Sequence, residues 1–331
     1  MDTGEPDTDT TPTETDTDTA DSDTDETPTE TGDTDTGEEL PVVDCEETPW
    51  DPSDEEPSGP NSSSDTGYVS VTVGDEHACA SRANGEVTCW GGNYNCEATV
   101  PDGEWEVVAA SGSWTCVQGA AGDPLCWGLP DYTDWTWADP TRVVGSTMRL
   151  GWIHGCGIDE SGAIACWGHE SIGEVTDPEG VEALDVATGA NSTCILRSSD
   201  GALECWGTIT DFEAPTDAFA DIEAAMGYPL ACGVTTDGAL SCWGLEDENQ
   251  VIPNTPDGEF LEVDPGTEFA CGLRADGEVE CWGWGNTPIL ERIPTGPFTT
   301  LDVGYHAACA IDTDGRIWCW GEDTAGNTFP P

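Results

Sequence analysis

An all-β chain built from seven copies of one unit is what this sequence predicts, on three observations. The tripeptide Cys-Trp-Gly occurs seven times, beginning at Cys89, Cys126, Cys166, Cys205, Cys242, Cys281 and Cys319. Each copy has an upstream cysteine, at Cys79, Cys116, Cys156, Cys194, Cys232, Cys271 and Cys309, ten residues away except for Cys194 and Cys205, which are eleven apart. Short apolar stretches ending in glycine, such as Val69–Gly74 and Leu301–Gly304, lead into the pairs, and helical periodicity is absent. The first cysteines recur every 37 to 40 residues, and neither end of the array reads as a polar cap. An open solenoid needs such caps, so a closed seven-bladed β-propeller fits better.

In chain order, residues 1–40 form an Asp/Thr-rich acidic stalk. Residues 1–67 hold 24 acidic and no basic side chains, with runs such as Asp7-Thr8-Asp9-Thr10. Strong like charge and few apolar groups cannot offset the entropy of ordering, so this tail is expected to be disordered. It reads as a solvated spacer, with a weak calcium sponge or an O-glycosylated stalk as alternatives. Residues 41–67 are a linker containing the apolar island Leu40 to Trp50 and Cys45. After fourteen cysteines are assigned to the repeats, Cys45 and Cys96 remain, and a Cys45–Cys96 bond would pin the linker to the first repeat.

Residues 68–331 are the repeats. A glycine follows the first cysteine by six residues in six units (Gly85, Gly122, Gly162, Gly238, Gly277, Gly315); the longer fourth unit has Gly201. Asn or Asp often precedes it, which is turn chemistry, because glycine accepts the left-handed backbone of a tight reversal. In the first unit a three-residue loop, Ala83-Asn84-Gly85, would be closed by a hydrogen-bonded Arg82/Glu86 pair. Counting outward, Cys79 falls opposite Cys89 in a non-hydrogen-bonded pair, where Cα atoms approach to about 4.5 Å, within disulfide range. Seven intra-hairpin disulfides follow, with packed thiols as the alternative. Zinc fits poorly, since the chain has no Cys-x-x-Cys. Cysteine and the next residue, tryptophan, point to opposite faces, so each sheet must be covered on both sides.

The run Gly74-Asp75-Glu76-His77-Ala78-Cys79-Ala80, followed by Asn84-Gly85-Glu86-Val87-Thr88-Cys89-Trp90-Gly91-Gly92-Asn93, resembles the regulator of chromosome condensation repeat. The resemblance extends through all seven units and implies a seven-bladed propeller. The cysteine-decorated form looks like bacterial secreted or surface-anchored members carried on Thr/Asp-rich stalks. The chain departs from the family pattern in lacking Gly-Gln-Leu-Gly after Gly92-Asn93. It keeps the histidine two residues before the first cysteine only at His77 and His154. The family's activities range from nucleotide exchange on a small GTPase, with chromatin binding, to β-lactamase inhibition, and neither is carried over.

With 68 acidic residues, seven arginines and no lysine, the net charge is −61. That excludes nucleic-acid backbone binding and argues against docking on anionic lipid. Paired cysteines point to an oxidising compartment: extracellular, cell-surface or periplasmic, lipid-anchored lipoprotein forms included. Met1 runs straight into Asp2-Thr3-Gly4 without a signal peptide, so an export signal is expected to lie outside this sequence. No apolar run is long enough for a membrane span. No nucleophile triad, metal set or cofactor loop can be argued, and His77 and His154, at equivalent repeat positions, read as packing residues. The binding candidates are Tyr132, Trp135 and Trp137, aromatics in a loop that does not fit the repeat. Trp284 and Trp318 are further extra tryptophans, and Trp105, Phe260 and Phe298 read as core. The expected function is a monomeric, non-catalytic module that binds a protein or glycan or serves the surface structurally. A propeller inhibitor of an enzyme is one alternative. A lyase- or hydrolase-like enzyme using channel-facing carboxylates is the other.

Overall fold

The computed structural model describes residues 60–119, 124–128, 147–168, 180–211, 214–225, 227, 229–244, 251–284 and 288–331. These form seven antiparallel sheets, the blades of a β-propeller. Blade 1 runs through Tyr68–Val73, His77–Arg82 and Val87–Gly91, and blade 2 through Val107–Ser111, Trp114–Gln118 and Pro124–Gly128. Blade 3 is Thr147–Leu150, His154–Ile158 and Ile164–Gly168; blade 4 is Ala183–Thr188, Ser192–Arg197 and Leu203–Gly207. Blade 5 is Phe219–Ala224, Leu230–Thr235 and Leu240–Gly244; blade 6 is Phe260–Pro265, Phe269–Arg274 and Val279–Gly283. Blade 7 is Phe298–Val303, Ala307–Asp312 and Ile317–Gly321. The first strand of each blade packs beside the first strand of the next, so these seven inner strands wall a central channel.

The hairpins have the register their spacing demands. Arg82 N–H donates to Glu86 O at 2.9 Å, Gly85 takes φ +85°, and Cys79 lies opposite Cys89. All seven intra-hairpin pairs are disulfides with Cα separations of 4.0 to 4.1 Å. The extra residue of the fourth unit is absorbed in its turn, which leaves Cys194 opposite Cys205. Gly122 lies outside the described residues.

The tryptophan of each Cys-Trp-Gly packs on the disulfide of the blade before it. Trp127 packs with Cys79 and Cys89, Trp243 with Cys194 and Cys205, and Trp282 with Cys232 and Cys242. Trp90 of blade 1 packs with Cys309 and Cys319 of blade 7, so the ring closes through the same contact. The opposite-face placement of cysteine and tryptophan is therefore the inter-blade lock. The following glycine is required by backbone. At Gly244, φ is +125° and a Cβ would sit 2.1 Å from Pro229 O.

Closure has a second component. Asn61–Ser62 adds a fourth strand to blade 7, paired with Cys319 and Trp318. Ser63 N–H donates to Ile317 O at 2.9 Å, and Trp90 Nε1–H donates to Asn327 O at 2.8 Å. Both ends of the described chain thus bind across the seam between the last blade and the first.

The two retained histidines are buried inter-blade ties. His77 Nε2 bonds Thr115 Oγ1 at 2.8 Å, and His154 Nε2 bonds Thr193 Oγ1 at 2.9 Å. Thr115 and Thr193 stand just before the first cysteines of blades 2 and 4, a position held elsewhere by Ala or Gly. A buried imidazole needs such a partner, so histidine sits only in the blade preceding each threonine. Burial lowers His77 to a pKa of about 4, which keeps it neutral.

Candidate functional site

The inner strands supply two levels of side chains to the channel. Opposite the first cysteines stand Thr72, Ala109, Arg149, Ala187, Glu223, Asp264 and Asp302. Two residues earlier stand Ser70, Val107, Thr147, Asp185, Asp221, Glu262 and Thr300. Six carboxylates, all on blades 4 to 7, therefore share the channel with one arginine. Glu223, Glu262, Asp264, Asp302 and Arg149 line a cavity of about 290 Å³ to which all seven blades contribute.

Most of the acids hold the ring together. An inner strand is a sheet edge, and its outward N–H groups have no strand partner. Asp302 Oδ2 accepts from Val73 N–H and Asp264 Oδ2 from Val303 N–H, both at 2.6 Å. One level up, Asp185 Oδ2 accepts from Ile222 N–H at 3.2 Å, Glu262 Oε2 from Leu301 N–H at 3.1 Å, and Asp221 from Val263 N–H. Each clamp reaches from one blade to the next. Thr72 does the same in blade 1, accepting from Ala110 N–H at 3.0 Å.

Glu223 breaks the pattern for a chemical reason. The residue in blade 6 equivalent to Val73, Ala110 and Val303 is Pro265, which has no N–H. Glu223 instead crosses to blade 3, where its Oε1 lies 2.5 Å from Arg149 Nε. The small Ala187 of the intervening blade occupies the same level. The pair is enclosed by the ring yet opens onto the cavity, so both groups keep some accessible surface.

Crowding changes the acidity of these groups. Burial first, then neighbouring carboxylates, pushes Glu262 up to about 8 and Asp221 up to about 6. Burial also raises Asp264, Asp302, Glu223 and Asp185, with Arg149 and backbone donors opposing it. Arg149 is held more firmly protonated by Glu223. Among the described residues no group of three or more His, Cys, Asp or Glu side chains is arranged to hold a metal.

The turns after the inner strands lie at one end of the channel. There Trp152 of blade 3 and Tyr305 of blade 7 meet edge to face, with ring centroids 6.0 Å apart. Blades 1 and 2 lie between them, with Asp75 and Gly112 beside the rings, so the contact crosses the opening. Tyr305 also packs on His306 at 4.4 Å, and Trp152 stays 41% exposed.

Tyr132, Trp135 and Trp137 lie outside the described residues, and so does Cys45; Cys96 is disulfide-bonded. Trp284 is half exposed, while Trp318 is tied through Nε1–H to Asp312 Oδ2 at 2.9 Å. Phe260 and Phe298 are core residues, and Trp105 packs against the blade 1 disulfide. Sequence reasoning foresaw channel-facing carboxylates only as a class. The usable signal was the side chain on the lead strand opposite each first cysteine. The mouth aromatics Trp152 and Tyr305 carried a weaker signal, an aromatic directly after the glycine that ends the inner strand.

Seven blades around a channel make this chain a β-propeller. Residues 68–95 and 298–327, which are the first and last blades, match the regulator of chromosome condensation (RCC1) repeat, so the chain carries RCC1 repeats. Similar solved structures include the CRINKLY WD40 ectodomain of the Arabidopsis thaliana receptor kinase ACR4. It has 22% identity and a TM-score of 0.61 over 80% of this chain and 97% of that one. The ectodomain of the Physcomitrella patens receptor kinase CR4 matches at 22% and 0.63 over 77% and 74%. Prp20p from Saccharomyces cerevisiae matches at 15% and 0.57 over 77% and 82%. No helix among the described residues is long and apolar enough to cross a membrane.

Proposed function

We propose that this chain is an exported, non-catalytic propeller that binds a protein or glycan at its surface and is held out on its acidic N-terminal stalk. The observation that carries this reading is the commitment of the channel acids to structure. Acid–base hydrolysis needs a free acid and a free base facing one substrate. Here five carboxylates accept from backbone N–H groups of the next blade and the sixth pairs with Arg149. Seven disulfides suit an oxidising compartment. Two of the similar propellers are receptor ectodomains, and the Prp20p structure is described with its binding to Gsp1p and histones. Their likeness supports a binding scaffold without naming a partner.

Two surfaces compete for the partner: the loop carrying Tyr132, Trp135 and Trp137, and the mouth carrying Trp152 and Tyr305. The test is capture from native surface and secreted extract with the oxidised full chain as bait. Trp135→Ala/Trp137→Ala and Trp152→Ala/Tyr305→Ala baits run beside it. Loss of a captured partner with one double variant assigns the surface. Absence of any partner, together with glycan or peptide turnover abolished by Glu223→Gln, overturns the reading in favour of an enzyme.

A further inference from the structure

The two ends of the propeller differ in the charges and in the apolar groups they present. Arg82, Arg197 and Arg274 end the second strands of blades 1, 4 and 6, and Arg316 stands in the hairpin turn of blade 7. All four lie at the end of the ring remote from Trp152 and Tyr305, and Arg149 is inside the channel. Of the described arginines only Arg292, which follows the short helix Pro288–Glu291, lies on the connection between blades 6 and 7. The mouth end carries Asp75, Glu76 and Glu268 in its turns and Glu322 just after the last strand. Exposed apolar side chains divide the same way. Val69, Leu184 and Leu261 stand near the start of inner strands, whereas Tyr94, Trp152 and Trp284 emerge at the mouth end.

That end also holds a pit of about 150 Å³ between blades 6 and 7. Phe269 and Ile289, both buried, form its floor with Pro288, and Tyr305 forms a wall. Glu268 and Glu322 stand on its rim; both are exposed, and neither is paired with an arginine among the described residues. Glu322 Oε2 lies 3.8 Å from His306 Nδ1. Trp284 N–H donates to Glu268 O at 3.0 Å, which sets a half-exposed indole beside the rim. The pit is smaller than the roughly 300–1,000 Å³ of a small-molecule pocket and suits one long side chain. An apolar floor beneath a carboxylate rim matches lysine and arginine, which bury an aliphatic stem and keep a charged head at the surface. The neighbouring aromatic ring favours the same head.

We propose that the mouth end docks a basic segment of a protein partner and that the pit between blades 6 and 7 takes one lysine or arginine side chain as its anchor. The stem lies on Phe269, Ile289 and Tyr305, and the cationic head sits between Glu268 and Glu322. The proposal rests on the reading of this chain as a binding module and adds the partner's chemistry and the seat of its anchor. Charge complementarity selects the occupant. A neutral glycan gains nothing from the carboxylate rim, and an acidic partner is repelled by it.

The probe is a phage library of random dodecapeptides panned against the full oxidised chain in about 0.15 M salt, which screens diffuse attraction to the acidic surface. The expected result is enrichment of peptides sharing one lysine or arginine beside apolar residues. In a synthetic copy of an enriched peptide, citrulline or norleucine at that position should weaken binding at least about tenfold. Glu268→Gln/Glu322→Gln should do the same, and because both side chains are exposed the variant should melt as the parent does. Glu259→Gln/Glu278→Gln removes equal charge from exposed sites at the opposite end and should leave affinity within about twofold. Equal losses from the two double variants would mean diffuse attraction and overturn the proposal. Enriched peptides without a basic anchor, or bound equally well by Glu268→Gln/Glu322→Gln, overturn it too. If no peptide is enriched while native extract still yields a partner lost with Trp152→Ala/Tyr305→Ala, the binding-module reading stands and this proposal falls. If neither yields a partner, both fall.

Discussion

In every blade the outer hairpin repeats one chemistry, a cysteine pair, a tryptophan and a glycine. The inner strands vary their channel side chains from blade to blade, from Thr72 and Ala109 through Arg149 to Glu223 and Asp302. Neighbouring hairpins meet disulfide against tryptophan, and that contact is the same seven times. The inner strands instead share one enclosed space. A charge placed in blade 5 there is answered in blade 3, and a proline in blade 6 redirects a glutamate in blade 5. Repetition thus serves the nearest-neighbour contacts, while individuality collects where all blades meet.

The largest break in this comparison comes from removing the hairpin chemistry. Closing a ten-residue loop stabilises by about 2–3 kcal/mol in the chain-entropy model. Even at half value, seven such bonds together rival a typical net stability of about 5–15 kcal/mol. Full reduction should lower Tm by at least about 20 °C or leave the chain unfolded at room temperature, read by calorimetry with a thiol count. Unchanged melting with all sixteen thiols free would show that tryptophan packing alone holds the blades.

Next in size is the glycine of Cys-Trp-Gly. Gly244→Ala forces a Cβ to 2.1 Å from Pro229 O at φ +125° and should cost about 3 kcal/mol. Gly85→Ala meets its nearest atom, Trp105 O, at 3.3 Å and should cost about 1 kcal/mol. Chemical denaturation of the two variants gives both values. Equal costs would mean that left-handed backbone, not the close approach, sets the requirement.

These two effects fall on features legible in the sequence. Cysteine spacing, turn glycines and the Cys-Trp alternation fix blade number, hairpin register and the faces that pack. All of these are local, within about a dozen residues. The channel was not legible in the same way. Asp185 and Ile222 are 37 residues apart, and Asp302 and Val73 are 229 apart. Only ring closure makes them neighbours. In a chain with 68 acids, no single carboxylate stands out until its position opposite a first cysteine is known. The two kept histidines were readable as packing residues, but the reason for keeping only two lay in Thr115 and Thr193 of the following blades.

The inner strands should also govern the response to pH. Their carboxyls titrate higher in the folded chain than in the unfolded one, Asp221 at about 6 and Glu262 at about 8. A raised folded pKa favours the folded state fully below the unfolded value, near 4. That contribution is lost as pH rises through the folded values. Stability should therefore fall between about pH 5 and pH 8.5, with Tm dropping by roughly 5 °C or more. Surface self-repulsion acts in the same direction, so the measurement belongs in about 0.5 M salt. Glu262→Gln should flatten the curve there; a slope unchanged by that variant would place the effect on the surface.

The smallest effect isolates the exception among the clamps. If Pro265 is why Glu223 turns to Arg149, restoring an N–H at that position should loosen the dependence of one on the other. Arg149→Met alone leaves Glu223 facing the acids of blades 6 and 7 without a cation, at a cost of about 1–3 kcal/mol, discounted because the pair opens onto the channel. Pro265→Ala alone should change little. It adds freedom to the unfolded chain, about 0.4–1 kcal/mol against the fold, while the new donor returns a similar amount. In the P265A background, Glu223 can take the clamp that Asp264 and Asp302 already make, so Arg149→Met should cost about 1 kcal/mol less than in the parent chain. The coupling is read from the four denaturation curves of the cycle. Strict additivity would mean that Glu223 reaches across the channel for Arg149 whether or not a backbone donor stands beside it, and that proline at position 265 is a consequence of the ion pair and not its cause.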